Sequence, residues 1–446
     1  MGEAAKISLK AIGKQDTYLL SKDPDESFFN YTTDKRHSDF RKYHRSRNIV
    51  NPGNVSNWPF GQTIKVQFNP RNMGDLLSNM YLSLTLPGLG VSENYADQVG
   101  RHILKSITMY VDDIEVEKIH DDWGIIYDEL YLEMSEKVAN RFLVNRNLGY
   151  DDSTLTAYET TARYDADVVI PLHFFFSRKY STDEYSTNKP NRPFFPVCSI
   201  YKQKIEFVLE FHKQTFFTNA ASTLELQSFN LITEEITVSP EERNYMMSER
   251  QLLITDVVKK HPSIVSAQND KMIKNNLVPN IPVKCIHWFL RNTIFENEDV
   301  IKEVGETDED KFYVHNRFNF SSNVNFSETY TFYAPVMKNA TFFINGNKLP
   351  NVTKTDHVYY KYLIPFQKRL SRPIRNIYTY SFSMNPVNVE PSGSVDFSQI
   401  QSDKTNIELE IDTEKVDIST DTFTLHMYYT GYQTFVFDSG FMSPAY

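Results

Sequence analysis

Thr108-Met109-Tyr110-Val111-Asp112 and, 233 residues later, Thr341-Phe342-Phe343-Ile344-Asn345 read as one strand and its turn written twice. Held at that offset without gaps from Thr108 to Leu130, Val116 falls on Leu349, Tyr127 on Tyr360 and Leu130 on Leu363. A strand, an Asp or Asn turn and a downstream aromatic-then-Leu segment therefore recur in one order. Ile205-Glu206-Phe207 and Ile407-Glu408-Leu409 repeat as well, at a different offset, as loops of unequal length would produce. The pattern predicts two copies of one fold. The length of 446 residues agrees, because a single core seldom organises more than ~250–300 residues. The boundary is expected between Ser239 and Lys260, where strands give way to a charged stretch of helical character.

Around the repeat, short segments alternate apolar and polar residues with the period of a strand. They are Gln62–Phe68, Met80–Leu86, Ser106–Val111, Lys204–Phe211, Thr329–Ala334, Ala340–Ile344, Tyr378–Met384 and Asn406–Ile411. Phe, Tyr and Trp make up 14% of the chain, a share that suits pleated, half-buried surfaces. Helical spacing is strong only in Asp121–Val138, which opens on acids, and in Ser239–Leu253, which opens on a cap, a Pro and two Glu. Two units of about 200 residues, each with some eight strands, predict an all-β chain of two sandwiches or jelly rolls.

The net charge of −10 argues against coating nucleic acid, since phosphate affinity comes from Lys and Arg. Two cysteines, Cys198 and Cys285, are too few for a disulfide framework and lack metal-ligand spacing, so reduced thiols are expected. The N-terminus has no charged-then-apolar signal pattern, and Gly2 lacks the Ser or Thr at position 6 that myristoylation wants. No apolar run approaches the ~18 residues of a membrane span, and a soluble protein is expected.

Several stretches resemble, in order, the major capsid protein of nucleocytoplasmic large DNA viruses of the iridovirus and phycodnavirus kind. Gly13–Leu19 with Phe28-Phe29 and Arg36-His37 is similar to the family's opening run, and Pro171–Phe176 to its P-L-H-F-W-F strand. Ser239–Arg243 with Leu253-Ile254 resembles the helix between its two jelly rolls. Pro282-Val283-Lys284 with Trp288 resembles the start of the second jelly roll, and Tyr428–Tyr446 the last strand and tail. Pro391–Ile400 (PSGSVDFSQI) is similar to the family's P-S-G-x-x-N-F-S-R-I, with Gln399 and Asp396 in place of its Arg and Asn. Pro391-Ser392-Gly393 also reads as a tight turn, Gly393 at positive φ, that delivers a strand starting near Val395.

The resemblance implies a double jelly roll of two consecutive eight-stranded domains with a few short helices in loops and linker. Its parts are an N-terminal arm and base segment over 1–55, a first jelly roll over 56–238, a helical linker over 239–262 and a second jelly roll over 263–446. It implies a non-enzymatic structural subunit, without cofactor or metal, in a virion built in the host cytoplasm. Homotrimers of pseudo-hexagonal outline, six jelly rolls around one axis, would tile an icosahedral shell above minor capsid proteins and an inner membrane. A scaffold or minor capsid paralogue of the same fold is the nearest alternative. A carbohydrate-binding or carbohydrate-cleaving double β-sandwich is a more distant one, which would need two facing carboxylates ~5–10 Å apart.

The acidic cluster Asp112, Asp113, Glu115, Glu117, His120, Asp121 and Asp122 lacks calcium-loop spacing and reads as a turn followed by a helix N-terminus. His37 and His44 are not at ligand spacing, and no nucleophile elbow or phosphate loop occurs. Lys35–Arg47 carries six basic residues around Phe40 and Tyr43. On the resemblance it faces inward, towards acidic minor proteins or anionic headgroups, without sequence-specific nucleic-acid binding. Six sequons, at Asn30, Asn54, Asn319, Asn325, Asn339 and Asn351, read as chance in an Asn- and Thr-rich chain. Asn145–Arg163 and Ser177–Asn191 read as outward loops.

Overall fold

A computed structural model describes residues 40–445, apart from 54, 91, 92, 94, 97, 146–163, 179–193, 297–302, 305–311, 314, 315, 319, 322–333, 353, 354 and 389. The first half contributes β1 (Phe40–Asn48), β2 (Thr63–Phe68), β3 (Leu76–Leu86), β4 (Leu104–Val111), β5 (Ile114–His120), β6 (Ala166–Pro171), β7 (Ile205–Phe211) and β8 (Ser228–Val238). They form two four-stranded antiparallel sheets, β1-β8-β3-β6 and β2-β7-β4-β5.

The second half contributes β9 (Gln251–Val265), β10 (Met272–Asn276), β11 (Pro282–Asn292), the small ribbon of β12 (Glu303–Val304) and β13 (Phe312–Tyr313), β14 (Met337–Ile344), β15 (Asn347–Leu349) and β16 (Tyr378–Ser381). β17 (Val395–Asp396), β18 (Asn406–Ile411), β19 (Phe423–Asp438) and β20 (Phe441–Pro444) follow. Their principal orders are β9-β19-β11-β16 and β10-β18-β14-β15, with β17 and β20 added beside β11 and β19.

Strand for strand, the two halves have one topology, the interleaved order of a jelly roll. The repeat places β4 on β14 and β5 on β15, and the turns agree as well. Asp112 and Asn345 both lie in the left-handed region, at φ +51° and +52°. Asn345 and Gly346 (φ +80°) are the Asn-Gly pair that a two-residue hairpin with the strands' own twist requires.

Alternation places the core. Ile205, Phe207, Leu209 and Phe211 of β7 point inward, with half-exposed residues between them. β11 does not alternate: Val283 to Asn292 are all buried, as are Phe423 to Gly431 of β19. One face of that sheet packs within its own sandwich and the other against the first half, so both parities are apolar or paired. A bulge between Val283 and Cys285 brings the strands so close at Gly431 that a Cβ there would stand 2.4 Å from the Pro282 carbonyl oxygen.

Several expectations change. Phe40–Asn48, assigned to the arm, is a strand of the first sandwich, so that sandwich begins before residue 56. The linker 239–262 is helical only over Pro240–Ser248, where the Ser239 hydroxyl accepts from the Glu242 amide; Gln251 already opens the second sandwich. Pro282–Asn292 is thus the third strand of that sandwich and not its start. Asp121–Val138 is two helices, Asp121–Leu130 and Met134–Val144, because Glu133 and Glu136 cap a new start reciprocally. In Pro171–Phe176 the strand ends at Pro171, and Phe174 to Phe176 form a buried aromatic plug. Gly393 has φ +126°, as its turn demands; the Ser392 hydroxyl bonds the Asn385 backbone, and β17 pairs with β11 from Val395. The matches at 13–37, residues 329–333 of one expected strand and nearly all of the two outward loops lie outside the described residues.

Candidate functional site: the junction between the sandwiches

β5 and the helix after it carry most of the acidic cluster, and the fold divides that cluster. Asp112 ties the hairpin turn to the start of β7 by accepting from the Lys204 amide at 2.9 Å, and Glu115 pairs with Lys259 near the surface. Glu117, Asp121 and Asp122 instead point into the contact with the second sandwich, where each is fully buried.

Asp121 accepts from Arg317 Nε at 2.9 Å and lies 3.0 Å from His212 Nε2. Asp122 takes a charged hydrogen bond from Arg291 and another from the Tyr428 hydroxyl at 3.1 Å. Arg291 also reaches the Arg317 carbonyl at 2.7 Å and Glu296 at 3.3 Å, and Glu296 holds His426 at 2.7 Å. Burial alone would raise both aspartates. Arg317 and His212 overcome it at Asp121, which is held well below the usual carboxylate range, and Arg291 overcomes it at Asp122.

A second cluster sits around Glu117, which accepts from Arg178 and from the amides of Phe175 and Val258, each amide at 2.9 Å. Val258 belongs to β9, so one carboxylate of the first sandwich ties down a strand of the second. Burial outweighs these donors and pushes the Glu117 carboxyl up. Arg178 continues to the Asp256 carbonyl at 2.9 Å, and Lys284 holds the Asp256 carboxylate at 2.8 Å.

Beyond the first helix, Glu129 meets Arg375 at 2.6 Å and the Ile374 amide at 2.7 Å, while the carbonyls of Leu130 and Leu132 accept from Ser371. The Tyr131 hydroxyl lies 2.9 Å from His287 Nε2, whose other nitrogen bonds Thr379. Phe175 of the plug stacks on Phe435, and Phe195 meets Phe437 edge to face. Each acid in the junction has a cation or amides facing it, so a charge removed from water is compensated. Among the described residues, no three His, Cys, Asp or Glu side chains stand close enough together to hold a metal.

The basic segment behaves differently from its reading. Lys35, Arg36 and His37 lie outside the described residues. On β1, Lys42 and His44 face Glu234 at 2.9 and 3.3 Å, Arg45 and Arg47 face Glu235, and Tyr43 donates to Glu235. Much of that charge is therefore spent inside the chain, on two adjacent Glu of β8 that pattern reading did not connect to it. Cys198 and Cys285 are free and buried, their thiols pushed up to about 11 and about 12 by burial. Asn339 donates its amide to Glu410 at 2.7 Å, and Asn351 is exposed; the other four sequons lie outside the described residues.

Two jelly rolls in tandem, joined by buried ion pairs, define a double jelly-roll shell subunit. The chain belongs to the major capsid protein family of large eukaryotic DNA viruses. Residues 31–233 match the family model described as major capsid protein N-terminus, and residues 241–442 the one described as large eukaryotic DNA virus major capsid protein. The chain is 22% identical to the major capsid protein of Pyramimonas orientalis virus over 408 residues, which cover 90% of this chain and 91% of that protein. It is 21% identical to capsid protein 1 of Acanthamoeba polyphaga mimivirus over 304 residues, 63% of this chain; the match spans about half of that longer protein, 48%. In fold it is similar to the subunit of the PBCV-1 virus capsid, with a TM-score of 0.70 at 16% identity, covering 94% of this chain and 99% of that one. The Faustovirus major capsid protein gives a TM-score of 0.63 at 11% identity, covering 97% and 98%.

Proposed function

We infer that this chain builds a viral shell without catalysing a reaction: three copies form a pseudo-hexagonal capsomer, and capsomers tile an icosahedral capsid assembled in the host cytoplasm. The observation that carries the reading is the junction. A prism with six jelly rolls around one axis requires the two rolls of each chain to hold one fixed pose. Charges buried on both sides set that pose more sharply than a greasy contact would, because a slipped pose strands them unpaired.

The division of labour follows from the sheets. Residues 40–238 and 251–444 supply the two walls, and Pro240–Ser248 links them. Lys35–Arg47 remains the segment we assign to the inward side, against minor capsid proteins or anionic headgroups. With Lys42, Arg45 and Arg47 already facing Glu234 and Glu235, that contact would be weaker than six free cations imply.

Light scattering and electron microscopy of the purified chain test the reading. The expected particle has three-fold symmetry and about three times 52.0 kDa. A monomer at every micromolar concentration, with no lattice in any salt, would overturn it.

A further inference from the structure

We propose that the exposed apolar face around Phe366 seats on the outward stripe of helix Met134–Val144 in a second copy of this chain, closing the capsomer ring. This rests on the capsomer reading and names the surfaces that make it.

Within one chain, residues 129–132 of the first sandwich dock on residues 371–375 of the second, through Glu129 to Arg375 and Leu130 and Leu132 to Ser371. The repeat of 233 residues carries both sides of this contact to new places. The repeat holds to its end at Leu130, so Glu129 and Leu130 fall on Tyr362 and Leu363, four and three residues before Phe366. Counted back by the same 233 residues, Ser371 and Arg375 fall level with Val138 and Phe142, on a helix that the second sandwich lacks among its described residues. Among the described residues, Val358, Leu363 and Phe366 of the second sandwich and Met134, Val138 and Phe142 of the first stay exposed.

Both are apolar and open. Phe366 is 83% exposed, with Val358 and Leu363 beside it, and Tyr362, Pro365 and Leu370 line a cavity of about 700 Å³ there. On the helix, Met134, Val138 and Phe142 recur every four residues on the side opposite buried Asn140 and Val144; they are 73%, 54% and 58% exposed. Contiguous exposed apolar surface of this kind marks an interaction site. Two unlike patches on one chain make a head-to-tail contact, which closes into a ring when the rotation allows. The contact is also continuous with the one inside the chain, because Lys137 of this helix already bonds the Arg372 carbonyl at 2.9 Å.

Phe366→Glu and Phe142→Glu put a charge at exposed positions of either patch. Each variant is expected to keep the far-UV spectrum of the parent and to fall from about three times 52.0 kDa to 52.0 kDa. Phe366→Cys and Phe142→Cys chains, mixed and oxidised, should cross-link to each other, with little background from the buried Cys198 and Cys285. If the parent is a trimer and both Glu variants remain trimers, the inference falls and the capsomer reading stands. A Phe366→Cys chain that cross-links mainly to itself also overturns the inference, since it shows like patches meeting. A parent that never leaves the monomer overturns the capsomer reading, and this inference with it.

Discussion

At the scale of single residues, the junction is governed by what happens to a charge whose partner is removed. Arg291 and Asp122 are both fully buried, and beyond Arg291 Asp122 has the Tyr428 hydroxyl at 3.1 Å, Lys260 at 3.9 Å and the more distant Arg317 charge. Arg291→Met should destabilise by about 3–5 kcal/mol, the usual cost of an uncompensated buried charge. Adding Asp122→Asn should return part of that, because the stranded charge is gone; urea melts of the two variants measure the difference. Two glycines separate strain from collision. A Cβ at Gly346 meets nothing within 4 Å, so Gly346→Ala should cost only the left-handed backbone, about 1–2 kcal/mol. At Gly431 the Cβ would meet backbone at 2.4 Å in the bulge between β11 and β19. Gly431→Ala should therefore cost clearly more than Gly346→Ala in the same melts, though its own φ is ordinary.

Among the elements, those with one buried face were readable and those with two were not. Asn406–Ile411 has the same bounds in sequence and structure, because Ile407, Leu409 and Ile411 alternate with polar residues that reach solvent. β11 and β19 show no such period, since the junction buries their second face, and β1 hides behind a basic run whose ion partners lie almost two hundred residues away. The acidic cluster was visible as a cluster, yet its purpose was not: Arg291 and Arg317 come from the other half of the chain, and no local spacing points to them. Helix signals were reliable at starts. Ser239 caps as its sequence promises, with Pro240 at the first turn and the Glu242 amide 3.3 Å from its hydroxyl. Ser239→Ala should cost about 1 kcal/mol. Limited proteolysis should then cut this helix sooner than in the parent, because none of its residues is buried. Where the helix stops was less readable, since Leu252 to Val258 suit a helix face and a strand equally.

For the whole molecule, acid is the stress that tells the buried network from ordinary packing. Asp121 and Asp122 sit below the normal carboxylate value, so their contribution is present above that value and is lost only as pH falls through the lower folded one. Glu117 acts in the opposite sense. Its folded value is raised, so the cost of its charge is borne near neutrality and relieved by protonation. Neither kind explains a loss of stability above pH 5, whereas the histidines do. Burial lowers His120 and His173 to about 4, and burial with the Lys284 charge lowers His287 to about 3. The unfolded chain takes up those three protons near pH 6.5 while the folded one refuses them. Their contribution is thus complete above pH 6.5 and drains away down to about pH 4 and pH 3, at about 1.4 kcal/mol per unit for each imidazole. By pH 5 the three should have cost about 6 kcal/mol. The melting temperature should fall steadily from pH 7 to pH 5, and His287→Gln should remove at most about a third of that slope, since burial lowers His261, His357 and His426 as well. His287 bonds Tyr131 across the junction, so the same pH range should loosen the two sandwiches from each other before either core melts. A melting temperature that stays level between pH 7 and pH 5 would show that these imidazoles accept protons inside the fold, and that this part of the junction is wetter than its packing implies.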